Sequence, residues 1–125
     1  MFFSLSFRKY LSFLPKEVID FIIQRYVFIS QNKFEMGTHF PFRHRYFMGK
    51  TGFILLNNEL WKRRPIEKAF VIAHEAAHAY NEYSPKTFYN NFVERRIKRE
   101  EEASRLAIEW LGKHYEKRNL TKIIQ

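Results

Sequence analysis

Hydrophobic positions change period several times along this chain, and each change predicts an element. In "PKEVIDFIIQR", Val18, Ile19, Ile22 and Ile23 recur at helical spacing behind Pro15, a residue suited to a first helical position, so residues 15–25 are predicted to be a helix. The β-rich "YVFIS" (26–30) predicts a short strand, and "RYFMGKTGFILLN" (45–57) predicts a hairpin turning at Gly49-Lys50-Thr51-Gly52. Pro65 opens a second helix, with Glu67 in the first turn where the helix dipole favours an acid; it is expected to run to about residue 81. Ser84-Pro85 has the character of the next cap, and residues 86–118 are expected to be mostly helical with one break. Within that region Ala103, Leu106, Ala107, Trp110 and Leu111 form one apolar stripe. Residues 119–125, "NLTKIIQ", are expected to be a short tail. Together these elements predict an α+β domain over residues 1–125: an N-terminal helix, a small sheet of about three strands with a hairpin, a central helix and a long C-terminal helix.

The central helix carries the chemistry. In "AFVIAHEAAHAYNEY" (69–83), Ile66, Phe70, Ala73, Ala77 and Tyr80 make one apolar stripe, and Ile72, Ala76 and Ala79 make another. Only the side holding Val71, His74, Glu75, His78 and Glu82 remains for polar work. Polar groups on a largely enclosed helix are costly unless partnered. Residues four apart lie one turn above each other, so His74 and His78 can present their imidazoles to one tetrahedral zinc ion. Glu75 falls on the flank of the pair, placed to act as general base toward a water; this is the logic of H-E-x-x-H. A third ligand is needed. His39 and His44 lie upstream, His114 downstream, and the carboxylates Glu100, Glu101 and Glu102 open the second long helix, where one of them can close the site.

Composition narrows the class. With 125 residues there is room for one domain, and 46 % hydrophobic and 18 % aromatic content supports a core and excludes a disordered chain. The absence of cysteine excludes disulfides and thiolate metal sites. No apolar run is long enough to span a bilayer, and "MFFSLSFRKY" reverses the order of a signal peptide, so a soluble, cytoplasmic protein is expected. The net charge of +9 is concentrated in Lys62-Arg63-Arg64, Arg95-Arg96 and Lys98-Arg99. Such clusters suit nucleic acid, an anionic membrane surface or an acidic substrate, but no nucleic-acid-binding signature accompanies them, so a solvated basic surface is the preferred reading. Gly49-Lys50-Thr51 matches part of a phosphate loop, yet His44 stands where that loop needs its first glycine.

"HEAAH" followed by "EEEASRLA" resembles the gluzincin metallopeptidases, and most closely the compact ImmA/IrrE-type metallopeptidase domains, over about residues 50–112. The resemblance implies a third ligand from the helix after the motif helix, within E-x-x-A-D or E-x-x-A-N. Glu100 and Ala103 match that register, which selects Glu100 over Glu101; Ser104 stands where the family has Asp or Asn supporting a metal-bound histidine. It implies a zinc-dependent hydrolase of protein or peptide substrates, with Glu75 taking a proton from water and passing it to the leaving amine. Tyr80, Tyr83, Tyr89 and His114 are candidates for a second oxyanion donor, and "GFILL" (52–56) for a strand edge along which substrate pairs. Two other readings compete: a catalytically silent zinc-binding module acting through protein or nucleic-acid binding, and a latent peptidase whose tail folds over its cleft.

Overall fold

The computed structural model describes residues 5–31, 37–41, 52–81 and 92–124. Among these residues five helices pack with a three-stranded sheet. Helix α1 (Leu5–Leu11) precedes α2 (Lys16–Arg25), and the sequence pattern gave no signal for α1. Pro15 caps α2 rather than opening it, in an extended conformation whose carbonyl accepts from the Val18 and Ile19 amides. Val18 and Ile22 bury the apolar face of α2, and Tyr26 leaves the helix already extended, so the chain runs straight into β1 (Tyr26–Gln31).

Strands β2 (Gly37–Pro41) and β3 (Gly52–Asn57) complete the sheet in the order β1-β3-β2. β1 runs parallel to β3, from Tyr26 opposite Gly52 to Gln31 opposite Asn57, and β2 runs antiparallel, from Gly37 opposite Leu56 to Pro41 opposite Gly52. This corrects the predicted hairpin. Both edges of β3 are occupied along its length, so the antiparallel partner is residues 37–41; residues 45–51, the expected first arm and turn, lie outside the described residues. The central position of β3 explains its composition: Ile54, Leu55, Leu56 and Asn57 are all buried, the run expected of an interior strand.

A short 3-10 helix, Asn58–Lys62, joins β3 to the next helix. The buried Asn57 side chain accepts from the Glu59 amide at 2.8 Å, and Trp61 donates its indole N–H to the Ser30 hydroxyl at 3.1 Å, tying this turn to the end of β1. Helix α3 (Pro65–Asn81) then follows with the predicted bounds. Arg64 pairs with Glu67 at 2.8 Å across its first turn.

α3 is the axis of the molecule and touches α1, α2, β2, β3, the 3-10 helix, α4 (Phe92–Leu111) and α5 (Lys117–Ile124). Its alanines 69, 73, 76, 77 and 79 have no exposed surface, which brings neighbouring backbones close. Ala103, Ala107 and Leu111 of α4 are equally enclosed, as the stripe predicted. The break in the C-terminal helical region falls at residues 112–116, where His114 stacks on Phe13 at 4.0 Å. The expected tail is instead helix α5, which meets α3 and α4 and is anchored by the fully buried Leu120 and by Ile123, packed in part against the core. The start of the region, including Ser84 and Pro85, lies outside the described residues.

Candidate metal centre

The site forms where α3 and α4 pack. His74 and His78 stand one turn apart on α3, with ring centroids 4.6 Å apart and ring planes perpendicular. Glu100 reaches across from α4. One of its carboxylate oxygens lies 3.1 Å from Nε2 of His74, and the other lies 3.1 Å from Nε2 of His78. The ligating atoms of these three residues fall within 4.8 Å of one another. Two nitrogens and a carboxylate are a zinc donor set, and zinc ligands about 2.0–2.1 Å from a tetrahedral ion sit about 3.3 Å from each other. Both His–Glu separations are close to that spacing, so the residues present fit the ion.

Burial is graded across the centre. The side chains of His74 and His78 are 16 % and 11 % exposed, whereas that of Glu100 is 57 % exposed. The imidazoles are therefore held by the fold while the carboxylate closes the site from the solvent side. Glu75 is the most enclosed of the four, with its side chain 8 % exposed and Oε1 3.4 Å from Nδ1 of His74.

Phe70 has a role that the sequence pattern did not single out. Its ring stacks on the His74 ring at 5.7 Å, with 24° between planes, so it limits how His74 turns. The signal was available: 70, 74 and 78 share one i, i+4 row on the helix.

The other predicted positions separate. Glu101 turns outward and pairs with Lys98 at 3.7 Å, and Glu102 is exposed, so Glu100 alone of the triplet meets the histidines. Tyr80 packs edge-on against Phe21 and Trp110, on the side of α3 away from the centre, and His114 is held by Phe13. Neither stands as an oxyanion donor here. Tyr83, Tyr89 and Glu82 lie outside the described residues, as do His44 and the side chain of His39. Segment 52–56 cannot offer an edge to a substrate, because β3 is flanked on both sides; among the described residues the sheet edges are β1 and β2. No helix among the described residues is long and apolar enough to cross a membrane.

Comparison with known proteins agrees with this geometry. No curated protein and no solved structure matches the chain significantly. The family description of the IrrE N-terminal-like domain (Peptidase_M78) matches residues 25–115, which spans β1 to the turn after α4 and includes all three candidate ligands. The chain belongs to the ImmA/IrrE metallopeptidase family.

Proposed function

We propose that the protein is a zinc-dependent metallopeptidase that hydrolyses peptide bonds in protein or peptide substrates. One observation carries this reading: Glu100 places one oxygen 3.1 Å from each motif histidine while Glu75 is buried on their flank. His74, His78 and Glu100 would hold the ion. When bound, zinc supplies a Lewis acid for the substrate carbonyl and draws the acidity of water toward neutrality.

Glu75 then has the proton work. A carboxylate offers about four acceptor sites, and one long contact to His74 leaves most of them for a water. Glu75 accepts the proton of that water at a carboxylate oxygen as the peptide carbonyl is attacked, and returns it to the departing amine. His74 is kept in register for this by Phe70 on one side and by Glu75 at Nδ1 on the other.

The test pairs hydrolysis with metal content. Protein loaded with one equivalent of zinc is incubated with denatured casein and a mixed peptide pool, and products are read by mass spectrometry. The wild type is expected to cut. Glu75→Gln is expected to keep its zinc and lose about 10²–10⁴-fold in rate, the usual contribution of a positioned acid–base group. Cleavage by Glu75→Gln at the wild-type rate would remove the general-base assignment. Stoichiometric zinc retained by His74→Ala would remove the ligand assignment.

A further inference from the structure

A groove of about 790 Å3 is lined by residues of α4 and α5, Glu100 among them. Its volume lies within the range of sites that bind small ligands and peptide side chains. Ile108 of α4 and Ile124 of α5 supply its apolar surface. Ile124 is 47 % exposed, although it sits at the end of a helix whose other anchor, Leu120, is fully buried. Ile108 shares a face of α4 with Ser104 and with the exposed Ile97, which gives that helix a second apolar row beside the one turned toward the core. Ile108 also packs in part against the core, whereas Ile97 and Ile124 are exposed and take no part in it.

The charges of the groove are mostly matched within the chain. Glu101 pairs with Lys98 at 3.7 Å, and Arg105 pairs with Glu109 at 3.2 Å. Glu100 faces the histidines. Lys117, at the start of α5, is the one lining charge without an ion-pair partner among the described residues. Three carboxylates on the lining disfavour a phosphodiester backbone, so the occupant that suits this groove is a peptide rather than a nucleic acid. Glu100 is shared between this lining and the candidate metal centre, while His74, Glu75 and His78 do not line the groove.

We propose that the α4–α5 groove is a substrate subsite that takes a bulky aliphatic or aromatic side chain over Ile108 and Ile124, with a neighbouring acidic residue received by Lys117. This rests on the peptidase reading and deepens it by naming what the substrate carries a few residues from the bond that is cut, since Ile108 lies two turns, about 12 Å, along α4 from Glu100. Part of substrate selection is then made by α5, outside the family's matched residues 25–115.

Binding separates this inference from the activity. The probes are N-acetylated, C-amidated decapeptides with Gly, Ala, Leu, Phe, Asp or Lys at one central position and Gly, Asp or Lys beside it. They are titrated into full-length, zinc-loaded Glu75→Gln protein, with isoleucine-methyl NMR as the readout. Leu and Phe peptides are expected to bind about tenfold more tightly than Gly peptides, the effect of partly burying such a side chain, and to shift the Ile108 and Ile124 methyls. Ile124→Asp, at an exposed position that the fold does not depend on, is expected to bring Leu peptides to the Gly level. Lys117→Glu is expected to reverse the preference from Asp to Lys. Peptide binding that perturbs His74 and His78 but neither isoleucine methyl overturns the subsite and leaves the peptidase reading standing. Binding with the predicted preferences by a protein whose wild type never cuts supports the subsite and overturns the peptidase reading. No peptide binding at all overturns the subsite.

Discussion

Replacing Glu100 and Glu101 in turn measures how much of the site depends on a single carboxylate. Both residues begin the same acidic run, but Glu100 meets two imidazole nitrogens at 3.1 Å while Glu101 faces solvent and Lys98. Four-ligand structural zinc sites are worth about 10–16 kcal/mol, so one ligand carries about 2.5–4 kcal/mol, or about 10²–10³-fold in affinity. At free zinc about 1,000 times the wild-type dissociation constant, binding stabilises the native state by about 4 kcal/mol. For Glu100→Ala that coupling falls to about 0.4–1.4 kcal/mol, a loss of about 3 kcal/mol. An unfolding entropy of about 2.1 cal/mol/K per residue gives about 0.26 kcal/mol/K for 125 residues. The zinc-induced rise in Tm should therefore shrink by about 10 °C in Glu100→Ala. Glu101→Ala should leave that rise unchanged, because Glu101 contacts no histidine; the loss of its exposed ion pair, worth under about 1 kcal/mol, lowers Tm by less than about 4 °C with and without zinc alike. The assay is thermal unfolding with and without zinc, beside competition titration against a chromophoric chelator. Equal losses in the two variants, or an undiminished zinc response in Glu100→Ala, would refute the assignment of the third ligand.

Two further changes test the supports of the site. Phe70→Leu keeps an apolar side chain in the core but removes the ring stacked on His74; zinc affinity is expected to fall about tenfold, the low end of what outer supports of metal ligands contribute, and an unchanged titration would show that the stack does not hold the imidazole. Ending the chain after Glu116 deletes α5 and the buried Leu120, so a destabilisation of at least about 2–5 kcal/mol is expected in urea denaturation; an unchanged midpoint together with a gain in hydrolysis would instead identify α5 as an inhibitory cover.

The site was more legible in the sequence than the sheet was, and the reason is range. His74, Glu75 and His78 lie within five residues of one helix, whose start is set by Pro65, so local periodicity alone fixes their relative directions. Glu100 required one longer step, from the register of E-x-x-A on the next helix, and Ala103 at zero exposure shows the physical basis of that register: it sits one turn below Glu100 on the side of α4 turned toward the core. The sheet depends on pairings that no local pattern specifies. β3 takes its neighbours from residues 26–31 and 37–41, and the glycines at 49 and 52 suggested a tight turn to a strand that has no free edge to join. Helix α5 was missed for a related reason. "NLTKIIQ" is too short to hold a helix by itself, and the contacts of Leu120 and Ile123 with the rest of the core make it one.

The alanines between the helices set the geometry of the metal centre as firmly as the ligands do. Helix pairs pack about 8–10 Å apart, with the distance set by the side chains at the contact. Glu100 reaches the histidines of α3 only if α4 lies close, and Ala103 and Ala107, both fully buried, follow it along the same side. Leucine at 103 would add three carbons where there is no space. Overpacking of this kind costs about 1–3 kcal/mol, partly relieved by backbone movement, and metal ligation tolerates only about 0.2 Å in each bond. Ala103→Leu should therefore remain folded but bind zinc at least about tenfold more weakly, although none of the three ligands has changed. Ala103→Ser, with little added volume, should bind normally. A well-folded Ala103→Leu protein with wild-type zinc affinity would mean that the separation of α3 and α4 does not govern the site.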